Sequence, residues 1–291
     1  MTIINSSKQQ QFIKDGFYLF RNILEPEILT KLRTISEEVL SQQEKAHFEQ
    51  QRTTGSMVMI DWEMVYQHNG LAKLIAYPNM LAALAELGFD EPKFGHGRII
   101  SKPPHSPPLF WHEDGRFWDD PVSYTTQPVQ CFLMYYLTDT SLANGCLRVI
   151  PGSHLKRHPL HDQASPRHTD DLRTFANPSN IAFQRTEGEI DVPVKAGDLV
   201  MGYGTLFHAA HANRTDQSRT VLTMWYYPDF VNLPERTQAT VAYLETQDQL
   251  TTIPSGWRAA SLEPLRIAYK GNAEPIEQQW SPDQRLGQLP M

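Results

Sequence analysis

The clearest strand signature in this sequence lies at residues 198–227, DLVMGYGTLFHAAHANRTDQSRTVLTMWYY. Three short apolar runs, DLVMGY (198–203), FHAAHA (207–212) and RTVLTMWYY (219–227), are separated there by Gly, Asn and Asp turns. Such runs are typical of an all-β sandwich or barrel. The same texture continues upstream, where four more strands are predicted: KFGHGRIISK (93–102), PVQCFLMYYLT (128–138), CLRVI (146–150) and IDVPV (190–194).

The N-terminal part of the chain, about 1–92, shows helical rather than strand spacing of its apolar residues. Ser7 is placed to cap a short helix, and residues 16–24 then alternate as a strand does. Longer helices are predicted at 25–50 and at 71–89, the second broken at Pro78 because proline disfavours helix in the residue before it. The expected N-terminal region is therefore a helical layer.

The whole chain, 1–291, is expected to form a single domain, since no linker or internal repeat divides it. A β core at about 93–230 follows the helical layer, and a C-terminal extension at 231–291 carries one predicted helix near 257–268. The long polar stretch at 151–189 is either a functional loop, such as a lid, or a solvated face. Four loop histidines are expected on the solvent side: His105, His158, His161 and His168.

Composition and charge exclude several classes of function. The net charge of -7 argues against a general nucleic-acid or anionic-membrane binder. No apolar run approaches the ~20 residues that span a bilayer, and the N-terminus lacks a secretory signal pattern. Cys131 and Cys146 both lie in apolar surroundings and are expected to be buried thiols rather than a disulfide. A cytoplasmic location fits these features, and the oligomeric state is left open.

The chemistry of the chain is indicated by His112-Glu113-Asp114 together with His208. Residues i and i+2 of a strand point to the same face, so His112 and Asp114 can bind one metal ion. A further histidine from a distant strand, either His208 or His211, completes two histidines and one carboxylate. This facial triad leaves coordination positions open and is typical of non-haem Fe(II) oxygenases.

With eleven histidines, roughly half a His-x-Asp match is expected by chance at ordinary Asp frequency. The assignment of a metal site therefore depends on the neighbouring residues as well. Trp111, Phe117 and Trp118 flank the pair and are expected to line a cavity. Arg219 follows His208 by eleven residues. When 2-oxoglutarate chelates iron, its distal carboxylate points into the protein, and a guanidinium matches that carboxylate with two parallel hydrogen bonds.

At these residues the chain resembles the phytanoyl-CoA dioxygenase family of Fe(II)/2-oxoglutarate oxygenases, which also contains ectoine hydroxylase. The matching segments are WHEDGRFW (111–118), NGCLRVIPGSHLKRH (144–158), AGDLVMGYGTLFHAAHANRTDQSR (196–219) and, more weakly, FIKDGFYLFRNIL (12–24). The resemblance implies a mainly β fold with flanking helices, built on a double-stranded β-helix (a jelly-roll, cupin-like core) behind the helical N-terminal layer.

The resemblance also implies a role for several residues. His112, Asp114 and His208 look like the iron ligands, with His208 favoured over His211 because Asn213 fits the family pattern. Arg219 and, by a softer alignment, Met134 look like contacts of the co-substrate 2-oxoglutarate. Halogenating relatives replace the carboxylate ligand with a small residue, so the presence of Asp114 favours hydroxylation.

The implied reaction couples oxidation of a small molecule by O2 to conversion of 2-oxoglutarate into succinate and CO2. An amino acid or an intermediate of specialised metabolism is the expected substrate, and Arg116, Phe117 and Trp118 are candidate substrate contacts. Desaturation, cyclisation or epoxidation would use the same ligands. Two other classes stay open, a non-catalytic cupin-like metal-binding protein and a purely structural β-sandwich.

Overall fold

The structure, a computed structural model, describes residues 6–44, 58–61, 69–163, 169–247 and 260–287. Within these residues the α-helices are α1 (Ser7–Asp15), α2 (Pro26–Ser41), α3 (Asn69–Ile75), α4 (Pro78–Glu86), α5 (Leu160–Gln163), α6 (Asp170–Arg173) and α7 (Glu235–Gln247). The strands are β1 (Phe17–Phe20), β2 (Val58–Asp61), β3 (Lys93–Lys102), β4 (Leu109–His112), β5 (Cys131–Tyr136), β6 (Leu147–Val149), β7 (Ile190–Val192), β8 (Leu199–Tyr203), β9 (His208–Ala210) and β10 (Arg219–Tyr227).

The strands pair into two antiparallel sheets. The larger sheet has the order β1-β8-β5-β10-β3-β2, and the smaller one has the order β4-β9-β6-β7. Because side chains alternate along a strand, Arg219 and Trp225 of β10 share one face of the large sheet. That face is turned toward the small sheet, since the ring of Phe132 on β5 lies 4.7 Å from the ring of His208 on β9. The surfaces of the two sheets that face each other are together called the cavity face below.

The opposite face of the large sheet packs against the helical layer. Leu222 and Met224 of β10 are fully buried in one apolar cluster with Leu32 of α2 and Leu84 of α4. The hydroxyl of Tyr226 donates a hydrogen bond of 2.7 Å to the carbonyl of Ile75 in α3. Each of these apolar side chains contributes on the order of 1.5–3 kcal/mol by burial, so this face supplies much of the stability that holds the cavity face in place.

The helical layer is set by local signals. The side chain of Ser6 accepts a hydrogen bond from the amide of Gln9 at the start of α1, and Gly16 ends the helix at φ 81°. α2 and α4 begin with proline, which lacks the amide hydrogen that a first helical residue leaves unpaired anyway.

Two further segments pack against the β core. Part of the stretch 151–189 lies on the side of the small sheet that faces away from the cavity, where the indole of Trp111 donates to the carbonyl of Gln184. The C-terminal segment crosses the loop after β4, because the amide of Gln279 donates to the carbonyl of Arg116 and the amide of Trp118 donates back to Gln279. The first of these segments therefore braces the small sheet from behind.

Most predicted elements are confirmed, with changes at their ends. β3 and β10 have the predicted bounds, and the helix at 71–89 is interrupted at Pro78 as α3 and α4. The cap of α1 is Ser6 rather than Ser7, and α2 ends at Ser41, while residues 45–50 of that prediction lie outside the described residues.

The predicted helix near 257–268 is wrong in its described part, which holds only a 3-10 turn at Glu263–Leu265. In the described part of the C-terminal extension the α-helix is α7 (Glu235–Gln247), which the sequence did not signal. Its buried face is partly threonine: Thr237 and Thr240 are buried there and satisfy their hydroxyls on Asp120 and on the carbonyl of Arg236. The helical periodicity of apolar residues, by which the other helices were predicted, is therefore weak in α7. The two cysteines are free and buried, as expected.

Among the described residues, no helix combines the length and the apolar character needed to cross a membrane.

Candidate metal centre

The three residues singled out for metal binding meet at the edge of the small sheet. His112 ends β4 and His208 begins β9, and these two residues are direct partners in the antiparallel ladder. Their ring centroids lie 4.1 Å apart. Asp114 follows two residues after His112, and its position is fixed because the amides of Asp114 and Gly115 both donate to the carbonyl of Gly204 at 2.7 Å.

The ligand atoms of these residues converge. One carboxylate oxygen of Asp114 lies 3.8 Å from Nε2 of His112, and the other lies 3.8 Å from Nε2 of His208. The three candidate ligand atoms all lie within 4.8 Å of one another. Both histidine side chains are buried, and the Asp114 side chain is 16% exposed. Two imidazole nitrogens and a carboxylate thus surround one point at a partly enclosed position.

The backbone selects the tautomer of both histidines. Nδ1 of His112 lies 3.0 Å from the carbonyl of Phe110, and Nδ1 of His208 lies 3.0 Å from the carbonyl of Leu206. In each case the carbonyl two residues earlier accepts the Nδ1–H hydrogen, so Nε2 carries the lone pair. A metal-binding imidazole needs this arrangement, in which one nitrogen is held by a hydrogen bond and the other is free to ligate.

Asp114 is oriented from the large sheet. The indole of Trp225 on β10 donates a hydrogen bond of 2.7 Å to Oδ2 of Asp114. The indole itself stacks on the ring of His96 with a centroid distance of 4.4 Å. Burial lowers the pKa of His96 to about 3, so this ring is neutral at pH 7 and adds no charge beside the carboxylate. Hydrogen bonds of this kind orient a ligating carboxylate.

A buried arginine lies on the same face of β10. Arg219 is 4% exposed, and its Nη2 donates to the carbonyl of Gly145 at 2.9 Å. Its Nε has no hydrogen-bond partner, and no carboxylate pairs with it, among the described residues. Burial lowers the pKa of Arg219 from its ordinary value, because a buried charge is costly when no counter-charge is near. The cavity face therefore presents a donor suited to an anion.

The start of β10 is positioned by Asn213. Its amide group donates to the carbonyls of Lys102, Pro103 and Gln217, and its Oδ1 accepts from the amide of Thr215. This buried side chain thus shapes the turn between β9 and β10 and sets Arg219 opposite Lys102 in the ladder. Lys102 is fully buried, and burial lowers its pKa well below the ordinary value. The family marker Asn213 has a structural explanation.

Met134 lies between the two ends of the cavity face. It is the ladder partner of Thr223 on β10, which lies four residues after Arg219 and two before Trp225. Phe132, two residues earlier on β5, packs against His208, and this packing requires Gly202, where a Cβ atom would lie 2.2 Å from the Phe132 ring. The expected co-substrate contact at Met134 therefore shares a face with Arg219.

The three candidate substrate contacts after Asp114 lie in different surroundings. Arg116 is partly buried, stacks over the Trp280 ring and lies 3.5 Å from the side-chain oxygen of Gln278. Phe117 and Trp118 are almost fully buried in two separate apolar clusters. Their rings therefore hold the loop after β4 against the C-terminal part of the chain.

Trp111 does not share the face of the candidate metal ligands. Its indole bonds to the carbonyl of Gln184 on the outer side of the small sheet, and the guanidinium of Arg148 stacks on its ring. His211 also points away from His112 and Asp114 and bonds to Asp191. Strand alternation explains both, because Trp111 is adjacent to His112 and His211 is an odd number of residues from His208.

One loop histidine was misplaced by the sequence prediction. The side chain of His161 is fully buried, with Nε2 3.6 Å from a carboxylate oxygen of Glu113 and the ring against Phe207. His105 is largely exposed and His158 is half-buried, while His168 lies outside the described residues. A polar loop sequence carries no signal for a histidine that is buried by contact with a distant strand.

Sequence reasoning also missed Trp225 and His96. The signal for Trp225 was present, since it follows Arg219 by six residues in a predicted strand and so lies on the same face. His96 had no such signal, because its stacking on Trp225 depends on the register between β3 and β10, which includes an irregularity next to Trp225.

The donor set defines a class. Two neutral imidazoles and one carboxylate that leave other positions open form the ligand set of non-haem Fe(II) oxygenases. The orphaned Nε of buried Arg219 on the same cavity face fits a carboxylate co-substrate. The sequence model of the phytanoyl-CoA dioxygenase family matches residues 12–221, so the chain belongs to that family.

Individual relatives agree with this assignment. Phytanoyl-CoA dioxygenase 1 of Oryza sativa subsp. japonica is 33% identical over 121 residues, which are 39% of this chain and 36% of that protein. The aligned part spans about a third to a half of the first curated relatives, from 36% to 54% of their length.

Solved structures show the same fold. SnoN, the non-haem α-ketoglutarate-dependent epimerase from nogalamycin biosynthesis, is 17% identical, with a TM-score of 0.59 over 94% of this chain and 96% of that one. EctD from S. alaskensis, solved with 2-oxoglutarate and 5-hydroxyectoine, is 18% identical, with a TM-score of 0.54 over 77% of this chain and 76% of that one.

Proposed function

We propose that this protein is an Fe(II)- and 2-oxoglutarate-dependent oxygenase that hydroxylates a small organic molecule. The observation that carries the proposal is the pair of backbone-held histidines, His112 and His208, whose Nε2 atoms face the carboxylate of Asp114. Family membership supports the same activity. The double-stranded β-helix, formed by the two sheets within a single domain of residues 1–291, is part of this proposal.

Fe(II) would be held by His112, Asp114 and His208. When bound, the iron and its co-substrate would supply the oxidation, in which a substrate C–H, 2-oxoglutarate and O2 become C–OH, succinate and CO2. The carbonyls of Phe110 and Leu206 hold the Nδ1 atoms of both imidazoles, which leaves each Nε2 directed at the metal position. Trp225 holds the carboxylate of Asp114 in place, so the ligands need little rearrangement.

Arg219 is the proposed partner of the distal carboxylate of 2-oxoglutarate. Its Nη2 is anchored on the carbonyl of Gly145, which fixes the plane of the guanidinium. The remaining N–H groups of a planar guanidinium can then donate to a carboxylate, and burial strengthens that interaction. Met134 is proposed to contact the same co-substrate from the neighbouring strand.

The substrate is proposed to enter beside Asp114. Arg116 is the candidate polar contact, because it follows Asp114 by two residues and carries a charge beside the Trp280 ring. Phe117 and Trp118, given their burial in the clusters described above, are proposed to shape this side from behind rather than to reach deep into the cavity. An amino acid or an intermediate of specialised metabolism fits the small-molecule ligands named for SnoN and EctD.

A second outcome with the same cofactors is favoured by one comparison. SnoN, which aligns with 94% of this chain, is an epimerase. Isotope labelling separates the two outcomes once a substrate is found by succinate release. A hydroxylation product gains one oxygen atom from labelled O2, whereas an epimerised, desaturated or cyclised product gains none.

The proposal is tested by adding Fe(II) and 2-oxoglutarate to the metal-free protein without oxygen and recording the visible spectrum. Wild type is expected to show a weak metal-to-ligand charge-transfer band that His208→Ala abolishes and that Arg219→Ala forms only at higher 2-oxoglutarate concentration. If iron binds but wild type gives no band, the co-substrate assignment is wrong and a cupin-like metal-binding protein is favoured. If iron does not bind either, the cluster is structural.

A further inference from the structure

A second group of metal-ligating side chains lies on the other face of the small sheet. Cys146 precedes β6, Asp191 is in β7 and His211 follows β9, so the three come from adjacent strands of the small sheet. Their candidate ligand atoms, one from each residue, all lie within 4.8 Å of one another. By strand alternation they point away from His208, so the family's triad does not include them.

The backbone fixes this group. The amide of His211 donates to the carbonyl of Cys146 at 3.0 Å, and the ladder pairs Arg148 with both Asp191 and Ala209 on the strands to either side. Nε2 of His211 lies 2.5 Å from a carboxylate oxygen of Asp191. The three side chains are therefore brought together by pairing of three strands rather than by a flexible loop.

The burial of the group allows access from one side. Cys146 is fully buried, whereas the side chains of His211 and Asp191 are 18% and 21% exposed. An ion entering past the imidazole and carboxylate would meet the sulfur at the base of the group. Arg185, at the rim, lies 3.6 Å from Asp191 and competes weakly for this carboxylate.

We propose that Cys146, Asp191 and His211 form a second metal site, which takes a divalent cation of the zinc class. Thiolate, imidazole and carboxylate are all zinc ligands, and three protein ligands leave a fourth tetrahedral position for water. The thiolate separates this site from the triad, since soft sulfur favours zinc over the harder Fe(II). Binding replaces the hydrogen bond between His211 and Asp191 with bonds to the ion; the proton of that hydrogen bond moves from Nε2 to Nδ1 of the imidazole, and the thiol proton is released to solvent.

This site adjoins the co-substrate side of the protein. Cys146 follows Gly145, whose carbonyl anchors Arg219 at 2.9 Å. An ion bound to Cys146 would hold the turn that carries this carbonyl. The second site is thus placed to stabilise the anchor of Arg219, although its existence does not rest on the function proposed above.

Cobalt titration of the metal-free full-length protein tests the proposal. Co²⁺ bound by a thiolate gives an intense near-ultraviolet sulfur-to-metal charge-transfer band, which a site of two histidines and a carboxylate cannot give. In the free protein, burial raises the pKa of Cys146 to about 11, so the band reports metal binding and not a pre-existing thiolate. The expected result is this band in wild type, with two cobalt ions bound per chain.

Substitutions show which residues give rise to the sulfur-to-cobalt charge-transfer band. Cys146→Ser and His211→Ala are expected to remove it, while Cys131→Ser, a change at the other buried cysteine, is expected to retain it. His112→Ala removes one bound cobalt but leaves the band, so failure of the triad and failure of the second site give different results. A wild-type titration that stops at one cobalt without the band overturns the proposal, and so does a band that survives Cys146→Ser.

Discussion

The two faces of the small sheet carry similar residues in different states. On the inner face, the Nδ1 atoms of His112 and His208 are hydrogen-bonded to backbone carbonyls, and both Nε2 atoms point at Asp114. On the outer face, His211 and Asp191 bond to each other. The difference teaches that a metal centre is better prepared when a backbone carbonyl or an indole, rather than another ligand, bonds to one polar atom of each ligand.

The buried arginines repeat this contrast. Arg148, on the outer side, pairs with the carboxylate of Glu189 and stacks on Trp111. Arg219, on the cavity face, has no carboxylate partner among the described residues; the Nε atoms of both arginines lack a hydrogen-bond partner there, so the carboxylate is what distinguishes them. Because an unpaired buried charge is costly, the inner arginine is suited to a ligand and the outer one to structure.

The largest expected effect is on Fe(II) affinity, and it distinguishes His208 from His211. Loss of a residue that hydrogen-bonds to a metal ligand typically weakens metal binding by up to roughly 100-fold. His208→Ala removes a proposed ligand itself, so it is expected to weaken Fe(II) binding by more than this. His211→Ala is expected to leave Fe(II) affinity unchanged. Anaerobic Fe(II) titration of both variants provides the measurement, and equal losses would contradict the distinction between the two faces.

Next in size is the effect on the co-substrate. Arg219→Ala is expected to weaken 2-oxoglutarate binding about 10- to 100-fold, as loss of a charge-assisted hydrogen-bonded pair predicts. Arg219→Lys keeps the charge but loses the planar fork, so an intermediate affinity is expected. The affinities are read from the charge-transfer band as 2-oxoglutarate is added.

Arg148→Lys is the matched control on the outer side. It alters a buried arginine that pairs with Glu189, and the affinity for 2-oxoglutarate is expected to stay at the wild-type value. A comparable loss in both variants would mean that arginine substitutions act through general destabilisation, which thermal unfolding of the same samples would reveal.

A smaller effect is expected from the tryptophan that orients Asp114. Trp225→Phe retains the ring but removes the N–H that donates to the carboxylate, and Fe(II) affinity is expected to fall about tenfold. Trp111→Phe removes an equivalent N–H on the outer face and should not change the Fe(II) affinity. Fe(II) titration of the two variants side by side checks this pair, and a loss confined to Trp111→Phe would reverse the assignment of the faces.

The smallest effect concerns the outer site. Arg185→Ala removes the exposed competitor of Asp191, so cobalt binding to Cys146 and its neighbours is expected to strengthen by less than about fivefold. The cobalt concentration at half-maximal thiolate band gives the change. Weaker binding in this variant would show that Arg185 supports the site instead of competing with it.

Secondary structure was predictable where local chemistry decided it. β3 and β10 show strand composition along their whole length, and the break between α3 and α4 follows from Pro78. α7 escaped prediction because threonines on its buried face replace part of the apolar pattern. The burial of His161 was equally hidden, since the carboxylate that it meets, on Glu113, lies 48 positions earlier in the sequence.

The sequence by itself determined which residues share a strand face. The spacing of His112 and Asp114, and the odd separation of His208 from His211, are local facts that follow from the two-residue period of a strand. Only the tertiary structure decided that β4 pairs with β9, that Trp225 reaches Asp114 across the two sheets, and that Arg219 stays without a carboxylate partner among the described residues. The physical reason is that alternation fixes a side chain's direction, whereas hydrogen-bond satisfaction and burial depend on strands that are distant in the chain.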